Sequence, residues 1–281
     1  MQKWRLIVSK PASGALNMAI DEAILKSVSL GGKPTLRIYA WNPPTVSLGY
    51  FQDIDDINAE ICNNLGYGIV RRLTGGRAVL HYDEATYSII VPEENPLIPK
   101  GVGESYKEIS LCLVNAIQNL GLKAVIEPVH RSKTSQWRQN NSSACFNAIS
   151  WHEITVNGKK IVGSAQVRKD GCLLQHGSIP ITLDSNKLFS VLKFSKDEIK
   201  ERSCRFFKEK ATSLQAEKKG EVNFSEVSDA LIDGFSQTWP ICLERESLSN
   251  YEKELVKKLE RTKYSQDFWN YCKQSQMPLN G

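Results

Sequence analysis

One cysteine and one lysine stand where they could share a reaction. Cys145 ends a long polar stretch, and Asn157-Gly158 followed by Lys159-Lys160 would turn the chain back toward it. A nearby ammonium favours thiolate over thiol, and the thiolate is the nucleophilic form. Successive side chains along a strand face opposite sides, so only one of Lys159 and Lys160 can point at the thiol, and spacing leaves open which. A cysteine is by default a small buried hydrophobe. What separates Cys145 from the others is its position between a polar loop and a hairpin.

Two further clusters could bind or shape a ligand. Arg71-Arg72-Leu73-Thr74-Gly75-Gly76-Arg77-Ala78-Val79-Leu80-His81 lies between two strand-like runs. Paired glycines let the backbone approach a ligand and present N–H groups, and arginines pair with phosphate or carboxylate. The alternative is a tight turn with surface arginines. The cluster is neither a Walker A loop nor a dinucleotide fingerprint, because Gly-Lys-Ser/Thr and GxGxxG are both missing. In Leu174-Gln175-His176-Gly177-Ser178, His176 could bind substrate or act as a base, or could simply be a sheet-face histidine. The seven cysteines contain no Cys-x-x-Cys pair and no Cys/His ligand spacing. No metal site and no disulfide framework is therefore expected.

These residues need a scaffold, and hydrophobic periodicity suggests one. Gly14 to Leu30 repeats apolar residues at helical spacing, as does Tyr106 to Leu120, which Gly121 closes. Strands are expected at Leu36 to Tyr39, Thr45 to Tyr50, Gly68 to Arg72 and Thr86 to Val91, with a helix at Ile54 to Leu65. A meander follows: His152 to Val156, the Asn157-Gly158 turn, Lys159 to Arg168, the Lys169-Asp170-Gly171 turn and Cys172 to Ile181. The remainder reads as helices at about 184–203, 224–238 and 247–262. Hairpins in mixed order with helices between them indicate an α+β fold rather than a doubly wound sheet.

Composition narrows the partners. Of the 281 residues 41% are hydrophobic and 24% charged, as in ordinary globular proteins. No apolar run approaches the roughly 18 residues that span a bilayer, and Met1 to Lys10 lacks a secretory pattern. A cytosolic protein with reduced thiols is expected, a monomer by default, bound to neither membrane nor nucleic acid. The net charge is +5, which reads as a solvated surface or as attraction to an acidic partner. Pro128 to Ala144 carries Arg131, Lys133 and Arg138 without an acidic residue, and a polar loop of this length is commonly functional.

Taken together, the clusters resemble the lipoate ligase and octanoyltransferase family. The matching pieces are R-R-L-T-G-G-R-A-V-L-H at 71–81, G-K-K-I-V-G-S-A-Q at 158–166 and L-Q-H-G-S-I at 174–179. Others are N-M-A-I-D-E-A-I at 17–24, W-N-P-P-T-V-S-L-G-Y-F-Q at 41–52 and T-K-Y-S-Q-D-F-W-N-Y at 262–271. The resemblance covers nearly the whole chain. It is closest to the octanoyltransferases in which a Cys-Phe pair precedes the hairpin.

The resemblance implies a biotin/lipoyl ligase-like catalytic domain over 31–245, with the helix 14–30 packed on it and a helical extension at 246–281. It implies that Cys145 carries an acyl thioester and that Lys160 lowers the pKa of that thiol. Arg71, Arg72, Thr74, Gly75, Gly76, Arg77, Ala78 and His81 would line the acyl channel, with a turn at Gly163, Ser164 and Ala165, and with His176 and Gly177 shaping it. The implied donor is octanoyl-acyl carrier protein. The implied acceptor is a lysine of a lipoyl-carrier protein such as glycine cleavage H protein, and neither ATP nor another cofactor is needed. Related ligases activate a free acid with ATP and often carry a third glycine where this chain has Arg77. An ATP-dependent lipoate ligase, an amidotransferase between lipoyl domains and a non-catalytic lipoyl-domain binder are the competing readings.

Overall fold

The computed structural model describes residues 1–128 and 152–272. In chain order the first elements are β1 (Gln2–Val8), α1 (Gly14–Ser29), β2 (Thr35–Tyr39), β3 (Thr45–Leu48), α2 (Ala59–Asn64), β4 (Gly68–Arg71) and β5 (Val79–His81). Next come β6 (Glu84–Pro92), α3 (Val102–Asn119), β7 (Ala124–Pro128), β8 (His152–Val156), β9 (Lys159–Lys160), β10 (Gly163–Lys169) and β11 (Cys172–Pro180). The chain continues through α4 (Ser185–Val191), α5 (Asp197–Lys210), α6 (Leu214–Lys218), α7 (Phe224–Thr238), β12 (Ile241–Arg245), α8 (Asn250–Leu259) and α9 (Asp267–Tyr271). A π-helical turn, Glu260–Tyr264, joins α8 to α9.

The fold is α+β. A six-stranded sheet runs in the order β10-β11-β6-β2-β1-β12, and two three-stranded sheets run β4-β3-β5 and β7-β8-β9. Within the large sheet β1 is parallel to β2 and β12, while the pairs from β2 to β10 are antiparallel. Among the described residues no helix is long and apolar enough to cross a membrane.

Strand alternation gives the large sheet two different faces. On one, Tyr87, Ile89, Leu173 and Ile179 join a core with Ile109 and Leu113 of α3 and Leu231 and Phe235 of α7. The other carries polar residues in rows. Register sets Arg37 opposite Ser88 and Ser88 opposite His176, and one step on it sets Tyr39 opposite Thr86 and Thr86 opposite Ser178. Helix α1 covers this face. Its Asp21 forms an ion pair with Arg37 at 2.7 Å, with side-chain exposures of 1% and 0% respectively. The hydroxyls of Tyr39 and Ser88 each donate to Asp21 at 3.0 Å, and Arg37 also donates to Asn17 Oδ1 at 2.7 Å. The pair is thus hydrogen-bonded on every side, which is what lets it sit in the interior.

Several expectations are corrected. The anticipated helix Ile54 to Leu65 is a short 3-10 turn, Ile54–Asp56, followed by α2, because Asn58 caps the second segment by accepting from Ile61 N. Lys159 to Arg168 is not one strand. Ile161 and Val162 are adjacent and both buried, so the chain leaves the small sheet there and enters the large one. The run 184–203 splits into α4 and α5, and the strands β1 and β12, which complete one side of the large sheet, were not anticipated. The polar loop with Arg131, Lys133 and Arg138 lies outside the described residues.

Replacing Asp21 with alanine leaves Arg37 buried without its counter-charge. The unfolding free energy is expected to drop by about 3–5 kcal/mol, read from urea denaturation. A loss well under 1 kcal/mol would show that the pair does not hold α1 to the sheet.

Candidate active site

A cavity of about 320 Å³ opens where the large sheet, α1, α3 and the glycine-rich segment meet. That volume suits a small or slender ligand. Met18, Tyr39, Trp41, Val79 and Val102 supply apolar wall, and Thr86, Ser47, Tyr106, Gln166 and Ser178 supply polar atoms. Gly177 is required by close packing, since a Cβ there would lie 2.6 Å from Tyr87 Cε1 and 2.7 Å from Ser164 Oγ. The Ser164 hydroxyl is held by Tyr87 OH at 2.8 Å, which in turn accepts from Gln175 Nε2 at 2.8 Å.

Two carboxylate–histidine–hydroxyl chains converge on Arg72. In the first, His176 Nδ1 lies 3.5 Å from Asp21 Oδ2 and Nε2 lies 2.7 Å from Thr74 Oγ1. Thr74 Oγ1 also accepts from Arg72 Nε at 3.1 Å. In the second, His81 Nδ1 is 2.8 Å from Glu84 and Nε2 is 2.8 Å from Ser47 Oγ, which accepts from Arg72 Nη1 at 3.1 Å. Ionised carboxylates only accept, so each Nδ1 carries the proton toward its carboxylate. Ser178 donates to Glu84 Oε2 at 2.6 Å and Thr86 to Oε1 at 2.5 Å, and Thr86 itself accepts from Trp41 Nε1 at 2.7 Å. The Trp41 ring stacks on His81 with centroids 3.9 Å apart.

The charges follow from these contacts. Burial would raise the Asp21 carboxyl, but Arg37 and His176 outweigh it and hold the group below its usual range. Glu84 is likewise held low against burial by His81 and its hydroxyl donors. Burial lowers the His176 pKa more than Asp21 can raise it, so the ring is neutral at pH 7.

Lys160 reaches the cavity from the hairpin and is buried, whereas Lys159 is half-exposed. Its Nζ lies 3.1 Å from Glu153 Oε1. Its backbone is pinned on both sides, paired with Thr155 and accepting from Thr212 N at 2.9 Å. Cys145 lies outside the described residues. The six described cysteines are Cys62, Cys112, Cys172, Cys204, Cys242 and Cys272, and none of them lines the cavity. Burial pushes the Cys62 thiol up to about 11 and raises Cys112 and Cys172 as well. Among the described residues no cluster of His, Cys, Asp and Glu could hold a metal.

Of the residues singled out in sequence, Arg72, Gly75, Gly76, His81, Lys160, Gly163, Ser164, Ala165, His176 and Gly177 line the cavity. Gly163, Ser164 and Ala165 do so as the first residues of β10, not as a turn, because they pair with Ser178, Gly177 and His176. Arg71 is corrected outright. It points away from the cavity, buried, with its guanidinium donating to the carbonyls of Gly49, Tyr50, Gln52, Trp269 and Asn270. Thr74 acts behind the wall through His176, Ala78 packs in the core against the β4-β3-β5 sheet, and Arg77 is exposed. Trp41, Tyr106, Glu84 and Asp21 were missed. Asp21 and Tyr106 lie on helices α1 and α3, Trp41 follows β2 and Glu84 opens β6, so only tertiary packing brings the four to one site.

Residues 13–236 match the lipoyl protein ligase A/B catalytic domain. An octanoyltransferase LipM of Brevibacillus brevis is 44% identical over 273 residues, covering 96% of this chain and 99% of that protein. The octanoyltransferase LipM of Bacillus subtilis is 44% identical over 280 residues, with coverage of 96% and 99%. A solved structure of a bipartite lipoate protein ligase from an archaeal lipoylation system, that of Thermoplasma acidophilum, superposes with a TM-score of 0.81 at 25% identity. It covers 96% of this chain and 97% of the other. The chain belongs to the lipoyl protein ligase A/B catalytic-domain family and, within it, to the LipM type.

The depressed His176 pKa has a pH signature. The unfolded chain takes up the histidine proton near pH 6.5, and the folded protein takes it up only at lower pH. Stability from this group is therefore complete above about pH 6.5 and is lost as pH falls toward the folded value, by up to about 1.4 kcal/mol per pH unit. Urea unfolding between pH 7.5 and 5.5 is expected to show a shallower decline in His176→Gln than in wild type. Parallel curves would contradict the assignment.

Proposed function

We propose that this octanoyltransferase moves an octanoyl group from octanoyl-acyl carrier protein, through a thioester on Cys145, to a lysine of a lipoyl-carrier protein such as glycine cleavage H protein. The observation that carries the reading is a largely apolar cavity with buried Lys160 in its wall and none of the six described cysteines in contact with it. Cys145 remains as the thiol that sequence brings to the Lys160 hairpin. The solved relative from an archaeal lipoylation system, described with its E2 lipoyl domain, supports a lipoyl-domain acceptor.

The chemistry runs in two balanced steps. The Cys145 thiolate attacks the thioester carbonyl, a new C–S bond forms, and the phosphopantetheine sulfur leaves and takes up a proton. A neutral acceptor ε-amine then attacks the acyl-cysteine, loses its proton as the amide forms, and releases the Cys145 thiolate. The first step exchanges one thioester for another and the second is downhill, so no ATP enters. Lys160 favours the thiolate by its charge and can stabilise the oxyanion of either tetrahedral intermediate. The acyl chain occupies the cavity, where each buried methylene contributes about 0.8 kcal/mol.

Incubation with octanoyl-acyl carrier protein is expected to give a hydroxylamine-labile octanoyl adduct by intact mass. Cys145→Ser should abolish both the adduct and transfer. Product from free octanoate plus ATP, or from an octanoylated lipoyl domain, without any from octanoyl-acyl carrier protein, would instead assign a ligase or an amidotransferase. A hexanoyl donor, shorter by two methylenes, should lose about 15-fold in kcat/KM; equal rates would remove the acyl chain from this cavity. Iodoacetamide alkylation of Cys145 should titrate at higher pH in Lys160→Ala than in wild type, and superimposable titrations would exclude that role for Lys160.

A further inference from the structure

The segment 262–271 lies beyond the matched catalytic domain, which ends at residue 236, and no step of the proposed transfer uses it. Its contacts nonetheless lead to the cavity. Asn270 Oδ1 accepts from Arg71 N at 2.9 Å, and Trp269 Nε1 donates to Arg71 O at 2.9 Å. The Arg71 guanidinium returns to the carbonyls of Trp269 and Asn270 at 3.1 and 3.0 Å. The same guanidinium grips the 49–52 loop, with Gln52 O at 2.6 Å and Gly49 O at 3.0 Å. That loop is stacked backbone against backbone on the glycine pair: Tyr50 N donates to Thr74 O at 2.8 Å, and a Cβ on Gly49 would collide with the Gly76 carbonyl. Gly75 and Gly76 line the cavity.

At its other end the segment is anchored on α1. The Tyr264 hydroxyl and Lys263 Nζ donate to Glu22 Oε2 at 2.6 and 2.7 Å, and Lys263 lies 3.9 Å from the centroid of the Trp269 ring. Helix α1 also supplies Met18 to the cavity wall and Asp21 to His176. A single strap therefore ties together two elements that bound the site. Buried hydrogen bonds of a guanidinium to five carbonyls fix position in a way that apolar packing does not, because each bond is directional.

We propose that the C-terminal strap positions the glycine rim of the acyl cavity, with Asn270 and Trp269 acting through Arg71 as positioning residues. The proposal rests on the octanoyl-transfer reading for its kinetic effect but not for its structural one. The test uses the full-length chain with Asn270→Ala and Trp269→Phe, which removes the indole N–H and keeps a smaller aromatic ring. Val256→Ala serves as a control that weakens the adjoining helix α8 without touching Arg71. Asn270→Ala is expected to raise KM for an octanoyl thioester roughly tenfold with kcat changed less than about threefold. Trp269→Phe should move KM in the same direction by less. Amide exchange should accelerate within 49–52 and 72–78 while β6 and β11 keep wild-type protection. Val256→Ala should lower Tm and leave KM unchanged.

Wild-type KM and unchanged rim exchange in both strap variants would overturn the proposal. Exchange raised equally across β6 and β11, or a KM rise in Val256→Ala matching that in Asn270→Ala, would overturn it too, since either outcome marks general destabilisation. Rim-confined exchange in a protein that transfers no octanoyl group would uphold the strap and overturn only the donor reading.

Discussion

The Asp21–Arg37 ion pair is the interaction on which the site is built. Two opposite charges in an interior are costly to desolvate, and they persist only with good geometry and every remaining donor satisfied. Here Tyr39, Ser88 and Asn17 complete the set. The consequence is positional. The pair fixes helix α1 over one row of the sheet, and Asp21 then presents its second oxygen to His176. His176 holds Thr74, and Thr74 holds Arg72 at the edge of the cavity. A helix-to-sheet contact is thereby converted into the orientation of a guanidinium in the cavity wall.

Glu84 repeats the arrangement one row away. It orients His81, which reaches Ser47 and the other side of Arg72. Held from two directions, Arg72 also donates to the carbonyls of Gly75 and Arg77. The glycine-rich segment is therefore shaped from within by a side chain that immediately precedes it. Networks of this kind favour a single arrangement, because a partly satisfied buried polar group is more costly than none. The cavity combines this rigid polar edge with apolar walls, a division that suits a ligand with a hydrocarbon chain and a reactive polar head.

Much of the scaffold and part of the site are legible along the chain. The periodicity of α1 and α3, the Asn157-Gly158 hairpin and the return of Cys172 to Pro180 across the sheet are local signals. They follow from interactions within a few residues, and the structure repeats them. The glycine and arginine cluster likewise announces a backbone-lined site before any fold is known. The strands β1 and β12 carried no comparable signal, since each is defined by a parallel partner far away in sequence.

Arg71 and Arg72 show where reading along the chain stops. Adjacent residues of a strand face opposite ways, so sequence determines that the two arginines have different surroundings. It does not determine which one meets the cavity. That choice is made by Asn270, 199 residues further on, which receives the Arg71 backbone N–H and turns the Arg71 side chain toward the C-terminal strap. The same holds for Gly163 to Ala165, whose small residues suit a turn or a close-packed strand until β11 supplies the partners. Sequence by itself determined the local conformations and the inventory of reactive groups, because these depend on near neighbours. Tertiary structure alone decided which groups face the ligand and which face the scaffold, because the deciding hydrogen bonds come from segments that meet only when the chain is folded.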